Sequence, residues 1–267
     1  MKIDKIYLSI IIVSYNTKDF LEKCLGSIFH QSDNKDLEVI VVDNGSKDDS
    51  CETIKNRFLQ VKLIENKENL GFGRANNQGA KIARSDYLFF LNPDTLIKDN
   101  IFPKIIEVFK NDSQTGVVSP LLILDNGEIQ PWAYGQEENL SQLIKRKIKK
   151  DLSKTIDWVS GAALVIRADI FRKIGGFDEK FFAYFEDRDL CLRVRKIGYK
   201  IMVLPEVKVI HFGGKSLISD KKRKKLYYQS QNYFWHKHYG LLKSICLRFF
   251  RLPYIIKNKL RRKNEKN

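Results

Sequence analysis

The 267-residue chain lacks most of the features that would mark a secreted, membrane-spanning or dinucleotide-binding protein. It has only four cysteines, Cys24, Cys51, Cys191 and Cys246, widely separated and with no C-x-x-C pair. That excludes a disulfide framework and a thiolate zinc site, and it leads us to expect reduced thiols. No run of 18 uncharged apolar residues is present, so no spanning helix is expected. The opening MKIDKIYLSIIIVSYN is too short and too β-branched in its apolar part for a signal sequence, and no small-residue cleavage site follows it. We expect a cytoplasmic protein. There is no G-x-x-x-x-G-K-[ST], no G-x-S-x-G and no H-E-x-x-H. Gly71-Phe72-Gly73 begins like a dinucleotide loop, but Asn76 stands where the third glycine is required.

Charge, by contrast, is abundant and unevenly placed. Of the net +16, residues 221–267 carry +14, with 15 Lys and Arg against the single acid Glu265. Residues 1–220 are close to neutral. The charge split sets the expected division of the chain: a nearly neutral domain over 1–220 and a basic helical extension over 221–267. A basic tail implies an anionic partner surface, and with no nucleic-acid-binding motif in the chain we expect membrane rather than nucleic acid. Within the tail, Leu242, Ile245, Cys246, Phe249, Leu252 and Ile256 share one side of a helical wheel, with Lys243, Arg248 and Arg251 opposite. Such a helix suits the interface of an anionic bilayer, although it could also pack back on the domain. Pro253 is expected to kink it.

The body of the chain reads as alternating strand and helix. Residues 7–13 (YLSIIIV), 37–42 (LEVIVV), 61–65 and 87–91 (YLFFL) are β-branched or aromatic runs of strand length. Helical spacing falls between them, over 18–30, over 49–59 and up to about 83, and again over 101–110. This order predicts an α/β fold with a mostly parallel central sheet flanked by helices. Further strands are expected at 117–124 and 128–133, then a basic connector at 143–154 and a compact block at 157–212. Ligands in such sheets bind beyond the carboxyl ends of the strands. Polar clusters stand at those ends: Tyr15-Asn16, Asp43-Asn44-Gly45-Ser46 and Asn92-Pro93-Asp94.

Each carboxylate has an ordinary and a chemical reading. Asp43 can cap the following helix, or accept hydrogen bonds from a base or ribose. Asp94 sits in a turn-forming N-P-D, but a lone carboxylate also suits Mg²⁺, which keeps most of its shell for water and phosphate oxygens. Glu186, Asp187 and Asp189 can open a helix, while the adjacent Phe181, Phe182, Tyr184 and Phe185 would raise a carboxyl pKa toward the range of a general base. His211 precedes two glycines, where a neutral imidazole can ligate a metal.

Taken in order, the segments I-V-S-Y-N (12–16), V-V-D-N-G-S-K-D (41–48), E-N-L-G-F-G-R-A-N-N-Q-G (68–79), L-N-P-D-T (91–95), W-V-S-G-A (158–162), I-G-G-F-D-E-K-F-F-A-Y-F-E-D-R-D-L-C-L-R (174–193) and H-F-G-G-K-S (211–216) resemble family 2 inverting glycosyltransferases of the GT-A fold, closest to their rhamnosyltransferase-like branch. The resemblance implies a nucleotide-sugar donor, dTDP-rhamnose or a UDP-sugar, and Mg²⁺ or Mn²⁺ as cofactor. Tyr15, Asp43, Asn44, Asn69, Arg74 and Asn92 would bind the donor, and Asp94 with His211 the metal. Asn92 replaces the first Asp of the family's D-x-D-type motif. Asp187 would be the base, shaped by Glu186 and Asp189, with Trp158 and Gly161 bordering the acceptor. The implied acceptor is a hydroxyl of a cell-surface glycan precursor, lipid-linked, met at the inner face of the cell membrane. Two other readings use the same residues: a glycoside hydrolase, which needs no nucleotide pocket, and a non-catalytic, membrane-associated nucleotide-sugar-binding protein.

Overall fold

The computed structural model describes residues 7–31, 37–137, 156–213 and 219–264, with side chains described as far as Leu252. The basic connector at 143–154 and the last three residues of the 211–216 motif lie outside them.

The β-branched runs form the strands they suggest: β1 (Leu8–Ser14), β2 (Leu37–Asp43), β3 (Lys62–Glu65) and β4 (Tyr87–Leu91). All four pair in parallel, in the spatial order β3-β2-β1-β4. Their crossover helices are α1 (Lys18–His30), α2 (Ser50–Arg57) and α3 (Phe72–Ile82). Helix α1 buries Leu21, Cys24, Leu25 and Ile28, one face at i, i+3, i+4 and i+7 spacing. Helix α3 lies so close to the sheet that a Cβ at Gly79 would stand 2.6 Å from the Ile11 side chain. Only glycine allows that approach.

The sheet continues through β5 (Thr95–Leu96), β6 (Thr115–Ile123), β9 (Ala163–Arg167) and β10 (Lys200–His211), giving eight strands in the order β3-β2-β1-β4-β9-β6-β10-β5. Strands β9 and β5 run against the other six. The sheet is therefore mostly parallel, with helices α4 (Phe102–Asn111), α5 (Ala168–Lys173) and α6 (Glu186–Lys196) completing the layers. A separate two-stranded ribbon joins β7 (Tyr134–Gly135) to β8 (Trp158–Val159).

The strand expected at 128–133 is reduced to one bridge, Ile129 to Ile123. Pro131 has no N–H to extend a ladder, and Ile129 and Trp132 stay exposed.

The basic tail forms two helices, α7 (Asp220–Tyr239) and α8 (Leu241–Asn264). Helix α8 continues through Pro253, so the proline does not end it. Phe234 and Trp235 of α7 and Leu247 of α8 are buried in a second small core with Phe181 and Phe185. Arg251 of α8 donates to Gln231 (2.7 Å) and Asn232 (2.9 Å) on α7 and lies over the Tyr228 ring. The wheel's cationic side is thus divided: Lys243 and Arg248 face solvent, while Arg251 packs on α7. Leu242, Ile245, Phe249 and Leu252 are 79%, 50%, 73% and 53% exposed, a continuous apolar face with no cover among the described residues.

Candidate active site

The strand ends bring most of the sequence-derived residues to one edge of the sheet. At the end of β2, Asp43 is buried and its Oδ2 accepts the N–H groups of Gly45 (3.0 Å) and Ser46 (2.8 Å). It caps its own turn, because α2 starts only at Ser50 and is approached by Asp48 instead. The other oxygen, Oδ1, is buried without a hydrogen-bond partner among the described residues. The Cys51 thiol, a weak donor, is pushed up to about 12 by burial and then by the Asp43 charge. An unsatisfied buried carboxylate oxygen costs about 1–3 kcal/mol unless a ligand donor reaches it.

Asn44 is held by Asn66 and extends its amide toward Asn69 Oδ1 (3.4 Å) and the Gly71 carbonyl (3.3 Å). Asn69 in turn accepts the Gly71 N–H at 2.9 Å. These three residues form one polar shelf beside β2. Tyr15, at the end of β1, is 41% exposed and precedes Asn16 in the left-handed region (φ 52°). Arg74 lies apart from this group, exposed on α3 and 3.7 Å from Glu179.

Asp94 and His211, 117 residues apart, meet because of β5. The antiparallel register Thr95 to His211 and Leu96 to Ile210 carries the end of β10 back past the N-P-D turn. Phe212 N–H then donates to the Asp94 carbonyl (3.0 Å), and His211 Nε2 stands 3.2 Å from Asp94 Oδ1 and 3.4 Å from Asn92 Nδ2. An octahedral cation with bonds of about 2.1 Å sets adjacent ligand atoms roughly 3.0 Å apart, so this pair of donors fits Mg²⁺ or Mn²⁺. Among the described residues no third His, Cys, Asp or Glu completes the set, which leaves the remaining positions for water and phosphate oxygens.

The same edge carries the acidic helix. Asn92 N–H donates to the Ala162 carbonyl (2.9 Å), and the neighbouring Gly161 N–H donates to Asp187 Oδ2 (3.0 Å). Asp187 Oδ1 accepts the Arg188 N–H at 2.7 Å. Two backbone donors therefore fix the carboxylate in place, and no ion pair among the described residues seals it. Burial pushes its pKa up, opposed by those two N–H groups and by the Arg188 charge. Glu186 is pushed well above the usual carboxylate range by burial first and by Asp187 second, and its Oε2 is buried without a hydrogen-bond partner among the described residues. At Gly161 a Cβ would stand 3.0 Å from the Phe72 ring, so a side chain there would require that ring to give by a few tenths of an ångström.

The turn before α6 is strained. Tyr184 and Phe185 are consecutive aromatic residues with φ of 69° and 68°, a conformation costly for bulky side chains. Helix α7 holds it there: Ser230 donates to the Ala183 carbonyl (2.6 Å), and Phe185 packs on Phe234 and Tyr227. Asp189, fully buried, is gripped by Arg193 (2.7 Å), Lys237 (2.6 Å) and His238 (2.7 Å). Burial alone would raise its pKa, but the His238 hydrogen bond and the Arg193 and Lys237 charges hold it below the usual range. Both oxygens are thus occupied by α6 and α7. Asp189→Ala is expected to destabilise the fold by about 3–5 kcal/mol, read by urea unfolding, because it leaves Arg193 without its carboxylate and Lys237 with Asp178 alone. A loss below about 1 kcal/mol would refute this bolting role.

Trp158 borders the site on β8, its indole donating to the Gln136 carbonyl (3.2 Å). The Arg188 guanidinium lies 5.0 Å from the Trp158 ring and also pairs with Glu137 (3.1 Å). Arg188 lies within the E-D-R-D motif, although sequence reasoning assigned it no role. Gln130 and Glu137 carry no local signal at all.

Strand order and the solved structures agree on the fold. The chain has the GT-A fold. It superposes on a mannosyltransferase from Pyrobaculum calidifontis, solved with GDP-Man and Mn²⁺, with a TM-score of 0.63 at 19% identity, covering 87% of this chain and 64% of that one. A GalNAc-T7 structure with UDP, GalNAc and Mn²⁺ gives 0.63 at 19% identity, over 92% and 54%. The chain thus spans less than two thirds of either solved chain. Residues 9–175 match the glycosyl transferase family 2 model, and the chain belongs to that family. It is 24% identical over 232 residues to an N-acetylglucosaminyl-diphospho-decaprenol L-rhamnosyltransferase of Mycobacterium tuberculosis, covering 76% of this chain and 75% of the relative. It is also 26% identical over 229 residues to the rhamnosyltransferase WbbL of Escherichia coli K12, over 76% and 82%.

Proposed function

We propose that this glycosyltransferase moves a sugar, with inversion, from a nucleoside-diphosphate donor to a hydroxyl of a lipid-linked glycan precursor. The observation that carries the reading is the Asp187 carboxylate, fixed by two backbone N–H groups and linked through Gly161, Ala162 and Asn92 to the Asp94–His211 pair. Asp187 accepts the proton of the acceptor hydroxyl as its oxygen bonds to the sugar C1. The C1–oxygen bond to the diphosphate breaks on the opposite face. Asp43 Oδ1 accepts a donor N–H of the base, and Asn44 and Asn69 shape the ribose end of the shelf, with Tyr15 beside the base. Arg74 faces the nucleotide after exchanging its exposed Glu179 partner. Trp158 and Gly161 border the acceptor. Asp94 and His211 hold Mg²⁺ or Mn²⁺, which when bound supplies charge stabilisation to the leaving diphosphate.

The relatives named above support the sugar and acceptor classes. Two carry rhamnosyltransferase names, and one of these names a diphospho-decaprenol acceptor. Incubation with a panel of dTDP- and UDP-sugars and Mn²⁺, with nucleoside diphosphate release as readout, tests the reading. Release from none of them, in the presence of lipid-linked acceptor, rejects it. A glycoside hydrolase would instead show no nucleotide affinity.

The membrane side of the proposal rests on α8. Its uncovered Leu242, Ile245 and Phe249, flanked by Lys243 and Arg248 within a tail of +14, fit the interface of an anionic bilayer at the inner face of the cell membrane. Among the described residues no helix is long and apolar enough to cross a membrane. Deleting the tail is a poor test, because Lys237, His238 and Leu247 support the site. The triple variant Leu242→Glu, Ile245→Glu, Phe249→Glu is expected to abolish co-sedimentation with phosphatidylglycerol vesicles and to leave hydrolysis of soluble donor unchanged. Undiminished pelleting would reject the membrane role.

A further inference from the structure

Gln130 belongs to none of the motifs, yet it is fully buried and spends its whole amide on one residue. Its Nε2 donates to the His211 main-chain carbonyl at 2.9 Å, and its Oε1 lies 2.8 Å from His211 Nδ1. A carbonyl oxygen only accepts, so the amide nitrogen must face it and the amide oxygen must face the ring. An amide oxygen also only accepts, so Nδ1 must carry the hydrogen. In a neutral imidazole this leaves Nε2 with its lone pair. That nitrogen is the atom 3.2 Å from Asp94 Oδ1.

The chain around Gln130 fixes this arrangement. Its N–H donates to the Leu122 carbonyl (2.9 Å), tying the amide to the end of β6 beside β10. On the far side is Gly213, where a Cβ would stand 3.3 Å from Gln130 Nε2. Without Gln130, the opposite tautomer could donate Nε2–H straight to Asp94 Oδ1. The two donor atoms would then satisfy each other.

We propose that Gln130 is a positioning residue that holds His211 as the Nδ1–H tautomer, so that Nε2 and Asp94 Oδ1 stay open together for a divalent cation. The inference rests on the metal role proposed for those two residues. Second-shell partners of this kind alter metal affinity by about 10- to 100-fold.

The tautomer can be read without metal. Long-range ¹H–¹⁵N spectra of the full chain at pH 8, with His211 assigned by its loss in His211→Asn, are expected to show the proton on Nδ1 alone. A proton on Nε2, or on both nitrogens, overturns the proposal. Gln130→Met keeps the bulk and removes the amide. It is expected to move the proton to Nε2 and to cut, by about 10- to 100-fold, the factor by which Mn²⁺ tightens UDP binding in calorimetry. An unchanged Nδ1–H tautomer in this variant also overturns it. If Mn²⁺ fails to tighten UDP binding to the wild-type protein, the metal reading falls, while the apo spectra still decide the role of Gln130 toward the ring.

Discussion

Asp187→Asn is expected to lower turnover by about 10²- to 10⁴-fold, the range for loss of a general base, with donor affinity changed less than about threefold. The amide has nearly the same shape, but it cannot take up the acceptor proton. Calorimetry with a nucleoside diphosphate and nucleotide-release kinetics on the same preparation separate the two quantities. A non-catalytic sugar-nucleotide-binding protein has no turnover to lose, so a variant matching the wild type in both measurements would favour that reading. The wild-type pH profile supplies the sign. Because burial raises the pKa of Asp187, the base is active above that value and loses activity as pH falls through it. The acid limb is therefore expected at a higher pH than a solvent-exposed aspartate would give. Stability runs the other way. The native state holds the Glu186 and Asp187 protons more tightly than the unfolded chain does, so ionising the pair as pH rises costs stability.

Asp43→Asn is expected to weaken donor binding by about 10- to 150-fold, the equivalent of a charge-assisted hydrogen bond worth roughly 1.5–3 kcal/mol. One amide oxygen is enough for the Gly45 and Ser46 N–H groups, but then an NH₂ replaces the unpartnered Oδ1 and meets a donor N–H head-on. The turn should survive, so the melting temperature should stay close to wild type while nucleotide affinity falls. Equal affinity in the two proteins would mean that Oδ1 does not face the nucleotide.

Much of the fold was legible because burial leaves a simple mark on sequence. A strand enclosed on both faces is mostly apolar: β4 is an unbroken apolar run, and β1 and β2 carry such runs over Ile10–Val13 and Val39–Val42. Helix α1 carries one buried stripe at helical spacing. Where the chain pairs through only two residues, as in β5, β7 and β8, no periodicity can develop, and none of these strands was visible beforehand. The expected strand at 128–133 failed because Pro131 outweighs the apolar residues around it. Helix α8 shows the limit of a helical wheel: Arg251 belonged with the cations on paper and packs on α7, while Leu247, which is not on the apolar side of the wheel, is buried.

By itself, the chain's order of residues determined the crossover sheet, the edge at which polar groups collect and the identity of the acids there, because hydrophobic period and turn chemistry are local properties. Which acid stands free and which is bound was decided only in three dimensions. Asp187 and Asp189 are two residues apart in one motif, yet one meets two backbone N–H groups and the other an arginine, a lysine and a histidine side chain. Those side chains come from α6 and from α7, the latter two 48 and 49 residues downstream, and the partner of His211 comes from 81 residues upstream. A carboxylate's state depends on burial and on the charges facing it, and both are set by chain segments that meet only when the fold closes.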